Sequence, residues 1–546
     1  MDASLILHNG KVYTVDKGRP WVSAVACRGG TIVGVGDDEE MLALAGPDTE
    51  VIDLAGRLTL PGLCDAHIHF YYWSLARRFA PVAGCGSKAE MLDNCRRWMD
   101  TALPDGWVIG WGWNENLWPD RSLPTRDDLD AVIGLTRPAL LWRTDMHAAV
   151  ANSAALRAAG IGDDTPDPDG GIIVRDENGR ATGLLLELAI NLAADRMPDP
   201  DPELTTAALR EGMAELHRMG VTAVHDQRMK GQGDGPLALA AYQSLNRRGR
   251  LALRLNCNIA AHDLAHVEAL GLASGLGDDY LRLGHIKLFT DGSMGSRTAW
   301  MLAPYEPGAE GDTQNTGVNV TPPEQMAAEI RRAAAAGFPA SVHAIGDKAI
   351  RVVLDIFEEL AQGGPQPPVP HRIEHVQILH PADAPRLAAN NITASVQPVH
   401  AIDDMETAER VLGARADRVY NFQSLAQSGA LLALGSDAPV ADPSPFLGIH
   451  AAVCRQRPGQ MAAGPWYGDE ALNLEQTIYG YTLGAARAAG WQETIGSITP
   501  GKRADMVVLD RDLFAIVAQG VTGSEVADTQ VEITVFDGRI VYMGAG

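Results

Sequence analysis

The chain has 546 residues, 46% hydrophobic and 6% aromatic, which is too long for one small domain and enough to fill a sizeable core. Its 45 basic residues face 69 acidic ones, and the net charge of −24 disfavours nucleic acid and anionic membrane as partners. The six cysteines form no Cys-x-x-Cys pair, residues 1–20 lack a basic start followed by an apolar core, and no run of about 18 apolar residues occurs, so a cytoplasmic protein with reduced thiols is expected.

Residues 1–60 read as short strands, Leu5–His8, Lys11–Val15, Val22–Cys27, Thr31–Val35 and Val51–Asp53, separated by turn pairs such as Asn9-Gly10 and Gly29-Gly30. Leu58, Leu60 and Leu63 then carry an apolar strand into Cys64-Asp65-Ala66-His67-Ile68-His69. In an extended segment His67 and His69 share one face, so both imidazoles can grip one divalent ion. An ion needs three or four ligands, and a lone His-x-His is equally a structural pair. The stretch from 70 to about 200 is too long for one crossover and reads as an insertion. It holds seven of the eleven tryptophans: Trp73, Trp98, Trp107, Trp111, Trp113, Trp118 and Trp142. They form an aromatic mini-core, a lid lining an apolar substrate pocket, or both together.

Beyond residue 200 the chain alternates. Strand-like runs at Thr222–Val224, Ala252–Ile259, Leu281–Phe289, Ala340–His343, Arg372–His375, Thr393–Gln397 and Ala430–Leu434 are separated by helix-rich sequence. Thr205–Met219, Glu324–Ala336 and Ala349–Ala361 are the clearest amphipathic helices. With the strand ending at His69 these make eight units, which fit a closed (β/α)₈ barrel better than an open doubly wound sheet. The chain ends on strand-like Ala504–Leu509, Val531–Phe536 and Arg539–Tyr542, with a hairpin signal at Asp537-Gly538. Two β-rich ends predict one small sheet domain built from both termini, with two independent caps as the alternative.

Candidate ligands fall at strand ends. Alternation along Leu281–Phe289 sets Lys287 opposite Ile286 and Leu288, facing the barrel interior if those two face the outer helices. Such a lysine either pairs with a carboxylate in the core or, as a neutral amine, takes up carbon dioxide to give a carbamate able to bridge two metals. His343, His375 and Asp437 each close a strand at the face where barrel active sites sit. The set His67, His69, Lys287, His343, His375 and Asp437 draws on strands one, four, five, six and eight, and is hard to explain as packing. His225, in Val224-His225-Asp226, is a candidate partner of a substrate carbonyl or an inward histidine satisfied by a neighbour. Arg297 and Asp291 lie in a glycine-rich loop after strand four, where a turn with a solvated arginine is the alternative. Trp113, His147, Gln397 and His400 complete the candidate substrate contacts.

These motifs together resemble the amidohydrolase superfamily, on its branch containing N-substituted formamide deformylase. The likeness rests on the His67-Ile68-His69 stretch, Gly110-Trp111-Gly112-Trp113-Asn114, Arg143-Thr144-Asp145-Met146-His147, Lys287 to Arg297, His343-Ala344-Ile345-Gly346-Asp347, Arg372 to His375, Gln397-Pro398-Val399-His400 and Gly435-Ser436-Asp437. The resemblance implies a metal-bearing (β/α)₈ barrel over residues 61–489, an insertion at about 71–200, and a composite β-sandwich from residues 1–60 and 490–546. It implies metal ligation by His67, His69, carboxylated Lys287, His343, His375 and Asp437, holding two divalent ions, zinc first, with manganese, iron or cobalt open. A metal-activated hydroxide, its water lowered from a pKa of 15.7 towards about 7, would cleave a C–N bond in an amide, an N-substituted formamide or a cyclic amide, with Asp437 moving the proton. A homodimer is the expected assembly. Alternatives are a mononuclear deaminase of an aminated heterocycle and a non-catalytic regulatory protein. One departure stands out: Met146 occupies the place where the family usually has glycine.

Overall fold

The computed structural model describes residues 2–99, 106–229, 234–307, 313–460 and 464–544. At its centre eight strands pair in chain order: β1 (Leu63–Ile68), β2 (Val221–Asp226), β3 (Arg254–Ala260), β4 (Leu281–Phe289), β5 (Ala340–Ala344), β6 (Arg372–His375), β7 (Thr393–Val396) and β8 (Leu431–Leu434). Every neighbouring pair is parallel. The seam between β8 and β1 is stitched by residues that follow β8. The Asp437 N–H donates to the His67 carbonyl at 2.6 Å, and the Ser436 N–H and hydroxyl donate to the Asp65 carboxylate at 3.0 and 2.5 Å. Gly435 permits this approach, since a Cβ there would stand 2.4 Å from the His67 nitrogen. The sheet is therefore a (β/α)₈ barrel and not an open doubly wound sheet.

The outer helices follow from their sequences. Pro202–Arg218 starts at Asp201, whose carboxylate accepts from the Glu203 and Leu204 N–H groups at 2.8 and 2.9 Å, with proline at the first helical position. Asp347–Ala361 buries Ile350, Val353, Leu354, Phe357 and Leu360, a single helical stripe turned toward the barrel.

Three further sheets surround the barrel. One of six strands runs Arg539–Met543, Val531–Phe536, Met506–Leu509, Leu58–Pro61, Lys11–Tyr13, Trp21–Val22, so it draws strands from both ends of the chain. It shares an apolar core, including Leu5, Leu7, Val12, Val25, Val508 and Val535, with a four-stranded sheet from residues 5–53. Arg254, at the start of β3, grips the Asp505 carboxylate through Nε and Nη2 at 2.6 and 2.9 Å and so ties these sheets to the barrel. The third sheet lies between β1 and β2, ordered Gly171–Arg175, Ala181–Glu187, Ala148–Ala151, Ala139–Arg143, Val108–Trp113, Ala80–Pro81. All six cysteines are buried and free, and no helix among the described residues is long and apolar enough to cross a membrane.

Candidate metal centre

A cavity of about 890 Å³ opens where the barrel strands end, the size of a small-molecule site. His67, His69, Lys287, His343, His375 and Asp437 all line it, as do His147 and His400. Two of these positions depend on unusual backbone. His375 and Asp437 have φ of 73° and 64°, in a region that residues with a side chain rarely adopt. Simple alternation would set His375 opposite Glu374, yet both serve one site because the chain twists sharply at the end of β6.

The Nε2 atoms of His67 and His69 lie 3.3 and 3.4 Å from Oδ1 of Asp437. Nε2 of His67 and Oδ1 of Asp437 are buried and have no hydrogen-bond partner of acceptable geometry. Two imidazole nitrogens and a carboxylate oxygen that converge are the donor set of a divalent ion, and the three residues fit one. Asp437 also groups with His375 and His400, with Oδ2 at 3.8 Å from the His400 Nε2, so one carboxylate stands between two ligand clusters.

The electrostatics suit a cation. Burial pushes the His69 imidazole down to about 4, and the Asp437 contact only partly opposes it. Burial likewise holds His375 well below the usual histidine range. Neutral imidazoles are what a metal requires. Burial also works against the charge on Asp437, but the surrounding imidazoles, His67 foremost, outweigh it and keep the carboxyl well below its usual range.

The ring orientations are set from behind. His67 Nδ1 lies 2.6 Å from Oε2 of Glu374, and His375 Nδ1 lies 2.8 Å from Oε1 of Gln397, so in each ring the opposite nitrogen is turned to the cavity. Glu374 is itself held by the Ser341 hydroxyl at 2.5 Å and by Arg372. The Glu374 role was missed in the sequence because strand alternation made His375, not its neighbour, the inward candidate. His343 Nε2 lies 3.1 Å from the Gly292 carbonyl oxygen.

Other expected contacts are placed elsewhere. His225 is fully buried below the cavity, its Nδ1 accepting from Arg372 Nη1 at 2.8 Å and its Nε2 3.7 Å from Cys64 Sγ. It faces the barrel interior, where the structure gives it Arg372 as its hydrogen-bond partner, and is not among the residues that line the cavity. Trp113 is buried in the insertion, its indole N–H donating to the Leu141 carbonyl at 2.8 Å. Trp142 lines the cavity instead, stacked on Trp111 at 5.8 Å, so the aromatic cluster is both mini-core and pocket wall. Gln397 orients His375 and lies outside the cavity lining. Asp291 is spent on backbone, accepting from the N–H groups of Trp300, Ile345 and Gly346. Arg297 turns away and donates to the Glu306 carbonyl at 3.0 Å.

The family model that matches, described as amidohydrolase family, spans residues 50–542. The chain is 33% identical over 535 residues to the Arabidopsis thaliana protein LONG AFTER FAR-RED 3, covering 96% of this chain and 90% of that one. It is 30% identical over 560 residues to an N-substituted formamide deformylase of Arthrobacter pascens, covering 99% of each. Among solved structures it is similar to an uncharacterized metal-dependent hydrolase from Pyrococcus horikoshii, with a TM-score of 0.74, 28% identity, and 93% and 97% of the two chains covered.

Proposed function

Because this chain belongs to the amidohydrolase family, metal-dependent hydrolases of carbon–nitrogen bonds, we propose that its cavity hydrolyses a small amide, an N-substituted formamide first and a cyclic amide second. The observation that carries this reading is the convergence of the His67 and His69 nitrogens on an Asp437 oxygen that lacks any other partner. Divalent ions bound there, zinc in this proposal, supply Lewis acidity toward the carbonyl and lower the pKa of water.

His67 and His69 would hold one ion and His343 and His375 a second, and Lys287, once carboxylated, would supply a further anionic ligand to the centre. Glu374 and Gln397 fix the imidazoles at His67 and His375, so little ordering remains to be done when the ion and substrate arrive. Asp437 is the proton carrier: Oδ1 faces the ligand pair, and its carboxylate takes the proton of the attacking water and returns it to the leaving nitrogen. Trp142, Met294, Phe289 and Ile345 line the same cavity and give an apolar substituent a dry wall.

The test is a panel of N-substituted formamides, acyl amides and lactams incubated with metal-loaded protein, reading amine and acid release. Turnover of at least one amide that stops on chelation supports the reading. Ammonia release from aminated heterocycles with no amide cleaved would overturn it in favour of a deaminase. Lys287→Ala tests the bridge: metal content and turnover should fall together, and unchanged values for both would remove lysine from the centre.

A further inference from the structure

A second cavity, of about 490 Å³, opens at the other end of the barrel from the ligand layer. One face of the helix Pro202–Arg218 lines it, at Arg210, Met213, Ala214 and His217, with Arg250 and Ala252 opposite. The spacing i, i+3, i+4, i+7 sets the four helix residues on a single stripe. That helix leads into β2, and residues 250–252 lead into β3. The pocket therefore sits where strands begin, and the catalytic cavity where they end.

The carboxylates beside this pocket turn to other partners. Glu211 accepts from Arg78 at 2.8 Å, and Glu215 pairs with Arg77 and Arg218 at 3.7 and 3.6 Å. Among the described residues no carboxylate pairs with the side chain of Arg210 or Arg250. Arg250 follows Gly249, whose φ of 61° turns the chain, and its N–H donates to the Leu245 carbonyl at 2.9 Å. Arg247 and Arg248 precede that turn, so positive charge gathers here in a chain of net charge −24.

His217 closes the pocket from behind. It is 4% exposed, its ring lies 5.8 Å from that of Phe536, and its carbonyl accepts from the Thr534 hydroxyl at 2.6 Å. Its Nε2 is buried and has no hydrogen-bond partner, an arrangement that marks a place for a missing one. Burial holds the imidazole below its usual range, with the Ala252 backbone and the Asp505 charge opposing, so the ring is neutral at pH 7.

An anion that meets both guanidiniums must also suit this neutral ring. A phosphoryl group does. Its unprotonated oxygens accept from arginine or a ring N–H, and its O–H, lost with a pKa of about 6, donates to a ring lone pair. A carboxylate brings two oxygens and no O–H at neutral pH. Met213, Ala214 and Ala252 add an apolar wall, and the volume suits a small organic molecule. We propose that Arg210, His217 and Arg250 form a second ligand site that binds the phosphoryl group of a small phosphate monoester, its organic part lying on Met213, Ala214 and Ala252. The inference stands independently of the amide-hydrolase reading.

The test is calorimetry of the metal-loaded protein with phenyl phosphate, inorganic phosphate and benzoate. Phenyl phosphate should bind about tenfold more tightly than either of the others. Arg210→Gln and Arg250→Gln, both at exposed positions, should each weaken it about tenfold or more while metal content stays at the wild-type level. In crystals soaked with phenyl phosphate, the phosphorus should lie between the two guanidiniums, with an oxygen in hydrogen-bond reach of His217 Nε2. Absence of phenyl phosphate binding would overturn the proposal. So would binding that persists in both arginine variants, as a ligand of the metal centre would show, or benzoate or inorganic phosphate binding as tightly as phenyl phosphate.

Discussion

Beneath the ligand layer the barrel is filled with polar groups, whereas the sheets built from the chain ends are filled with hydrocarbon. Arg372, Glu374, Ser341, Gln227, Asn258 and His225 are all buried in the barrel. They bond to one another and to the backbone: Asn258 donates to Gln227 at 2.8 Å, and Arg372 donates to the Ala66 carbonyl at 2.6 Å and to Glu374 at 3.0 Å. In the terminal sheets Leu5, Leu7, Val25 and Val535 do the corresponding filling. The difference is one of what each core must specify. Apolar packing is non-directional and holds a scaffold in place, while a satisfied polar network fixes the direction of an individual ring nitrogen. The barrel carries costly buried charge because His67 has to point one way.

That contrast can be broken hardest at Asp437. Asp437→Asn should lower kcat for the amide substrate by about 10³-fold, within the range for loss of an acid–base group, with the fold retained by circular dichroism. In the terminal core, Leu7→Ala should cost about 3 kcal/mol in a denaturant titration. Metal content and turnover per folded molecule should be unchanged, because Leu7 is fully buried far from any ligand. A parallel loss of metal would erase the distinction between the two cores. Glu374→Gln keeps the shape but weakens the acceptor for His67, and metal affinity measured by competition with a chelator should drop about 10- to 100-fold.

The smallest effect comes from acid. Burial pushes His371 down to about 4, and its Nδ1 accepts from the Ala340 N–H at 3.0 Å, so the folded ring stays neutral. The unfolded chain binds a proton there from about pH 6.5 downward. This contribution to stability is therefore fully present above pH 6.5 and is lost as pH falls toward 4. The urea midpoint should be lower at pH 5 than at pH 7.5, and His371→Asn should flatten that slope. A midpoint insensitive to the substitution at both pH values would count against a neutral buried ring.

The barrel was legible because its strands are spaced by amphipathic helices and end in ligand-type residues, and His67, His69 and Asp437 could be paired from residue type and strand position alone. Contacts that depend on where a loop turns were not legible. Arg297 sits in the loop expected to face the substrate, but a φ of 56° accompanies its turn outward. Trp113 and Trp142 belong to adjacent strands of the insertion, and only the fold decides which indole meets the cavity. Glu187 carried no signal at all, since its position opposite His147 is set by strand pairing across the insertion sheet.

The most direct test of the central claim is anomalous scattering from crystals of zinc-loaded protein. The account predicts a peak about 2.0–2.1 Å from the nitrogens of His67 and His69 and in contact with Asp437. A peak elsewhere, or none at full activity, would contradict it.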